Sequence, residues 1–107
     1  MPKIVRTIFI KMFRERIKEL REELQLPLRK LAAALDIDSA TYWKIEKGNR
    51  RARKEHIPII ASILNTDYDE LLTLWLADQV AIVVKGEQKV ADKALSIVRE
   101  NTIVYNQ

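Results

Sequence analysis

The 107-residue sequence contains no cysteine and a single histidine, His56. Disulfides, thiolate catalysis, zinc-finger sites and histidine-rich metal centres are thereby excluded, and a reducing compartment is expected. Glycine occurs twice and proline three times, which speaks for a helical, packed chain rather than a disordered one. No apolar run reaches the roughly 18–20 residues of a membrane span. Residues 4–10 are too short and too interrupted for a secretory signal, and no small-residue cleavage site follows them. A soluble, cytoplasmic protein without a membrane partner is therefore expected. Also missing are a glycine-rich phosphate loop, a Ser-His-Asp set and any metal-ligand spacing. The neighbouring carboxylates Glu15 and Glu19, or Glu22 and Glu23, lie among Arg and Lys on charged helix faces, where solvated ion pairs are the default. The expectation is no enzyme, no catalytic residue, no cofactor and no metal.

What is present is a sequence with 48% hydrophobic residues, enough for one packed core. Its length fits a single domain, or a small domain with an oligomerisation extension. Lys and Arg total 19 against 15 Asp and Glu, a net charge of +4. That excess is mild, so its placement carries more information than its size.

The spacing of Phe13, Ile17, Leu20 and Leu24 predicts an amphipathic helix over residues 13–24. Pro27 suits the opening turn of a second helix, carried by Leu28, Leu31, Ala32 and Leu35. Asp36 then stands where the chain must turn sharply, and Asp tolerates left-handed backbone better than most residues. A third helix is expected from a cap at Asp38 or Ser39 to about Lys47, with Tyr42 and Ile45 facing inward and Gly48 ending it. Ile57, Ile60, Ala61 and Leu64 mark a fourth helix that Pro58 forces to start late or to kink. Asp67 and Glu70 read as a capping box opening a fifth helix that runs to Lys85, before Gly86. Residues 87–99 form one more helical candidate. Residues 4–10 and 102–105, rich in β-branched and aromatic side chains, read as short terminal strands, the first alternatively as an arm without regular structure.

Over residues 13–72 the sequence resembles the Cro-like phage-repressor (XRE-type) helix-turn-helix family. The resemblance rests on Phe13 through Arg21 in the first helix, on Leu31, Ala32 and Leu35 in the second, on Ile45-Glu46-Lys47-Gly48-Asn49-Arg50 closing the third, and on Asp69-Glu70-Leu71-Leu72. It implies an all-α, five-helix DNA-binding domain over 13–72, an N-terminal arm over 1–12 and a helical extension over 73–107. The implied function is a sequence-specific transcriptional regulator, and the implied partner is double-stranded DNA. The sequence departs from the family at Leu28, where glutamine is usual, at Asp36 in place of glycine, and at Arg51-Ala52 in place of the proline after the basic loop. The departure at Leu28 removes a side chain that often contacts DNA.

In a helix-turn-helix, the second helix of the pair enters the major groove while the first crosses the backbone. The resemblance therefore makes residues 39–47 the reader. Ser39, Ala40, Trp43 and Lys44 fall away from the inward face and are the candidate base contacts; Ala40 or Trp43 can meet a thymine methyl group, and Lys44 can reach guanine acceptors. Six Lys or Arg residues against two Glu lie between Lys44 and His56. Lys47, Asn49, Arg50, Arg51 and Arg53, together with Arg29, Lys30 and Thr41, are the candidate phosphate contacts. Arg21 and Glu46 resemble the family's internal ion pair and are expected to orient the third helix.

The tail carries Leu72, Trp75, Leu76, Val80, Val83 and Val84, then Val90, Ala94, Leu95 and Val98, more apolar surface than a five-helix core requires. Dimerisation is the expected use, because one recognition helix buries too little for strong specificity. The alternatives are a longer private core, or an antitoxin-like module whose tail binds a different protein while the N-terminal domain regulates its own operon.

Overall fold

The computed structural model describes residues 11–105 and contains six α-helices: α1 Phe13–Glu23, α2 Leu28–Leu35, α3 Ser39–Lys47, α4 Ile57–Ile63, α5 Tyr68–Val84 and α6 Gln88–Tyr105. A 3₁₀ turn, Lys54–His56, leads into α4. No strand occurs among the described residues. The described residues form an all-α fold, as the family resemblance implies.

Local chemistry sets the helix ends. The Glu15 carboxylate accepts the Met12 N–H at 2.9 Å and satisfies one free donor at the start of α1. Pro27 stands at the N-cap of α2, one residue ahead of the predicted first turn. Asp36 ends α2 in left-handed backbone, φ 57°, in the role a glycine usually takes. Pro58 sits in the first turn of α4, where its missing N–H costs nothing, so the late start is observed and no kink is needed. Only half of the predicted capping box forms at α5. Asp67 accepts the Glu70 N–H at 2.9 Å, but the Glu70 carboxylate takes the Thr66 hydroxyl at 3.1 Å and the Arg16 guanidinium at 3.3 Å instead. That exchange ties α5 to α1.

The core collects Phe13, Ile17, Leu31, Ala32, Leu35, Tyr42, Ile45, Ala52, Ile57, Ile60, Ala61, Leu64 and Leu71. In it α1 packs on α3 and α5, α2 on α3 and α4, and α4 on α5. Leu24, expected to face inward, is exposed because α1 has already ended at Glu23. Leu72, Leu74 and Trp75 pack against the core from the first half of α5, so part of the tail's apolar surface does complete a private core.

Beyond Trp75 the picture changes. Leu76, Val80, Ile82 and Val83 of α5 and Val90, Leu95, Ile97 and Val98 of α6 are all between 40% and 79% exposed. The helix α6 makes at most marginal contact with the other elements. Gly86, at φ 83°, forms the corner between α5 and α6, where a Cβ would meet nothing within 4 Å. Residues 102–105, expected as a strand, continue α6. Extending a helix adds one hydrogen bond for each residue fixed, whereas a strand needs a paired edge; the small helical penalty of β-branched residues does not reverse that balance. The strand expected over residues 4–10 lies outside the described residues.

Candidate nucleic-acid interface

Asp38 caps α3 by accepting the Thr41 N–H at 2.7 Å. The Thr41 hydrogen bonds, with added attraction from Lys44 and Arg50, hold the Asp38 carboxyl below the ordinary carboxylate range. Gly48 ends the helix at φ 84°. A side chain there would be strained by the left-handed backbone, and the exposed Arg14 side chain, whose Cδ would lie 2.6 Å from a Cβ, would have to swing aside.

Within α3 the 3.6-residue period separates two faces. Tyr42, Ile45 and Glu46 are buried; Ser39, Ala40, Trp43, Lys44 and Lys47 are exposed together on the other side. All four candidate base contacts therefore share one face. Thr41 is half-buried beside the inward face, and its backbone N–H is already used by the cap.

The buried face is locked to α1. Arg21 Nε and one terminal nitrogen donate to the two Glu46 oxygens at 2.8 and 3.1 Å, and its other terminal nitrogen donates to the Leu26 carbonyl at 2.8 Å. The Glu46 hydrogen bond holds the Arg21 guanidinium above its ordinary pKa range, against the opposing pull of burial. Beside the pair, burial and the Glu46 carboxylate push the Tyr42 phenol upward as well. The Tyr42 hydroxyl itself reaches no hydrogen-bond partner.

The basic candidates flank the exposed face of α3 in two groups. Arg29 and Lys30 project from the first turn of α2, while Asn49, Arg50, Arg51 and Arg53 line the loop after α3; all six are exposed. The loop is held from behind. Ala52 is buried at 3% exposure, and its carbonyl accepts the Trp75 indole N–H at 2.8 Å. Thus the replacement of the usual proline by Arg51-Ala52 leaves the loop anchored, through α5.

Two residues enter the site that the sequence did not single out as candidates. Lys18 of α1 and Leu28 of α2, together with Trp43 and Lys47, line a notch of about 120 Å3 beside the α3 surface, floored by Arg21 and Glu46. The Lys47 ammonium lies 5.2 Å from the centroid of the Trp43 ring, within cation–π range. Leu28 had a signal in its apolar character at a position usually polar. Lys18 had none, since a lysine on a charged helix face reads as solvated.

Among the described residues no group of three or more His, Cys, Asp or Glu is placed to hold a metal ion. Nor, among the described residues, is any helix long and apolar enough to cross a membrane. The family model described as helix-turn-helix matches residues 17–71, more than half of the chain. No curated protein and no solved structure matches it.

Proposed function

The chain belongs to the helix-turn-helix family of DNA-binding regulators, and we propose that it is a sequence-specific transcriptional regulator that binds its operator as a homodimer. The observation that carries this reading is the division of α3. One face is fixed to the core by Tyr42, Ile45 and the Arg21–Glu46 pair; the other presents Ser39, Ala40, Trp43 and Lys44 between two exposed basic groups. Two copies of α3 enter successive major grooves about 34 Å apart. Arg29, Lys30, Lys47, Asn49, Arg50, Arg51 and Arg53 hold the phosphates, and Thr41 contributes at the margin. These contacts supply affinity, and the α3 face supplies discrimination.

The extension supports the dimer. Eight large apolar side chains beyond Trp75 are roughly half exposed. Covering them on two copies is worth on the order of 15 kcal/mol gross, similar to the upper cost of joining two chains. A stable dimer therefore has to use most of this surface. On α6, Val90, Ala91, Ala94, Leu95, Ile97 and Val98 share one side, and Lys89, Asp92, Lys93, Arg99 and Glu100 the other. That apolar face is broader than the seam of a two-stranded coiled coil and suits packing against two neighbouring helices, as in a four-helix arrangement of α5 and α6 from each copy. Both charge signs occur on the polar side, so two copies do not repel.

The exposed α6 also favours a second reading, in which the extension captures a different protein and the DNA-binding domain regulates the shared operon. The test is selection from randomised duplex DNA, followed by binding of the winner and a scrambled duplex across a salt series. An enriched two-fold symmetric site, preferred by about a thousandfold or more, is the expected result. Steeply salt-dependent binding without enrichment would refute sequence-specific regulation. Co-purification of a second chain in place of a homodimer would favour the second reading.

A further inference from the structure

Building on the reading of α3 as the helix that enters the major groove, we propose that the notch between Trp43 and Leu28 receives the C5-methyl group of a pyrimidine. Trp43 is then a specificity-determining residue. At about 120 Å3 the notch is well below the roughly 300–1,000 Å3 of sites that enclose a small-molecule ligand, but it has room for a methyl-bearing base edge. Its apolar walls are the Leu28 side chain and the Trp43 indole, which is 46% exposed, and the Lys18 and Lys47 side chains complete the lining above Arg21 and Glu46.

Its polar floor is largely engaged. Both Glu46 oxygens accept from Arg21, and the second terminal nitrogen of Arg21 donates to the Leu26 carbonyl. A base edge that placed a donor or acceptor against Leu28 and the indole face would be desolvated without a partner there. In the major groove every base presents a donor, an acceptor or both, and the one apolar group is the methyl at C5 of thymine; 5-methylcytosine carries the same group. The notch is also preformed. Lys47 lies over the indole, Leu28 is half-buried against the core, and neither has to move to create the cavity.

The test uses the full chain and the duplex enriched by selection. At each pyrimidine, thymine is replaced by uracil, removing the methyl, or cytosine by 5-methylcytosine, adding it. The expected result is one position per half-site at which the methyl changes affinity by about fourfold, the worth of one buried methyl, and by about fifteenfold when both half-sites are changed. A uracil effect assigns the natural ligand as thymine, and a gain confined to 5-methylcytosine assigns it as the modified base; either supports the notch. In Trp43→Ala, and in Leu28→Gln as a second variant that keeps the indole, the ratio between methylated and unmethylated duplexes falls to about one. An enriched site whose binding ignores the methyl at every position, or a methyl effect that survives Trp43→Ala, overturns this proposal alone. Failure to enrich any site overturns the regulator reading and this proposal with it.

Discussion

Replacing Glu46 by alanine is the sharpest test of how α3 is held. The side chains of Arg21 and Glu46 are 13% and 5% exposed, and the guanidinium makes three hydrogen bonds, two of them to Glu46. Removing the carboxylate leaves a cation between α1 and α3 with only the Leu26 carbonyl to answer it. Breaking a buried pair costs about 3–5 kcal/mol. The small exposure of Arg21 lets some water reach it, so the lower end, about 3 kcal/mol, applies here. For a domain of this size that is on the order of 15 °C in Tm. Urea unfolding followed by helical circular dichroism measures the loss directly. The double substitution Arg21→Met with Glu46→Leu should recover most of it, because no buried charge is then left unpaired. If Glu46→Ala costs less than about 1 kcal/mol, or if the double variant is as unstable as the worse single one, the assignment of the pair as the clamp on α3 is wrong.

Four further outcomes are expected. Tyr42→Phe removes a buried hydroxyl with no partner and should leave stability unchanged or raise it by up to about 1 kcal/mol, read in the same urea experiment; a loss above that size would reveal a hydrogen bond to Glu46. Trp75→Phe deletes the indole N–H that holds the Ala52 carbonyl. It should cost about 1–2 kcal/mol and weaken DNA binding severalfold with little change in site preference, since the loop it anchors carries the proposed phosphate contacts. Truncation before Ala77 keeps Leu71, Leu72, Leu74 and Trp75 and should give a folded monomer with much weaker operator binding; an unchanged oligomeric mass by light scattering would refute dimerisation through the extension. Burial raises the Asp78 carboxyl pKa, opposed by Arg14, so the folded state holds its proton more tightly than the unfolded chain. The contribution of Asp78 to stability should therefore rise as pH falls through the raised pKa, against the loss from carboxyls held low such as Asp38. Thermal melts of Asp78→Asn should lack that rise and exceed the native chain at neutral pH.

The extension shows where local pattern stops being informative. Leu72, Trp75, Leu76, Val80 and Val83 look alike in sequence, yet Leu72 and Trp75 pack on the core while the other three are exposed. Nothing local separates them, because burial along α5 depends on where α1 and α4 end. Leu28 and Lys18 illustrate the same limit. Each belongs to a different helix, and only their approach to Trp43 makes a notch.

The sequence by itself determined the helices of the DNA-binding domain, the two faces of α3, the left-handed turn at Asp36, the stop at Gly48 and the partnership of Arg21 with Glu46. These follow from 3.6-residue periodicity, from capping and turn chemistry acting over four or five residues, and from motifs shared with the family. Only the tertiary structure decided that Glu70 leaves its capping box for Arg16 and Thr66, that Trp75 reaches back to hold Ala52, and that the β-branched stretch from Thr102 continues a helix. It alone left α6 with at most marginal contact to the other helices. In each case the deciding partner lies far away in the chain or is missing from it, and a local pattern records a side chain's needs without recording what meets them.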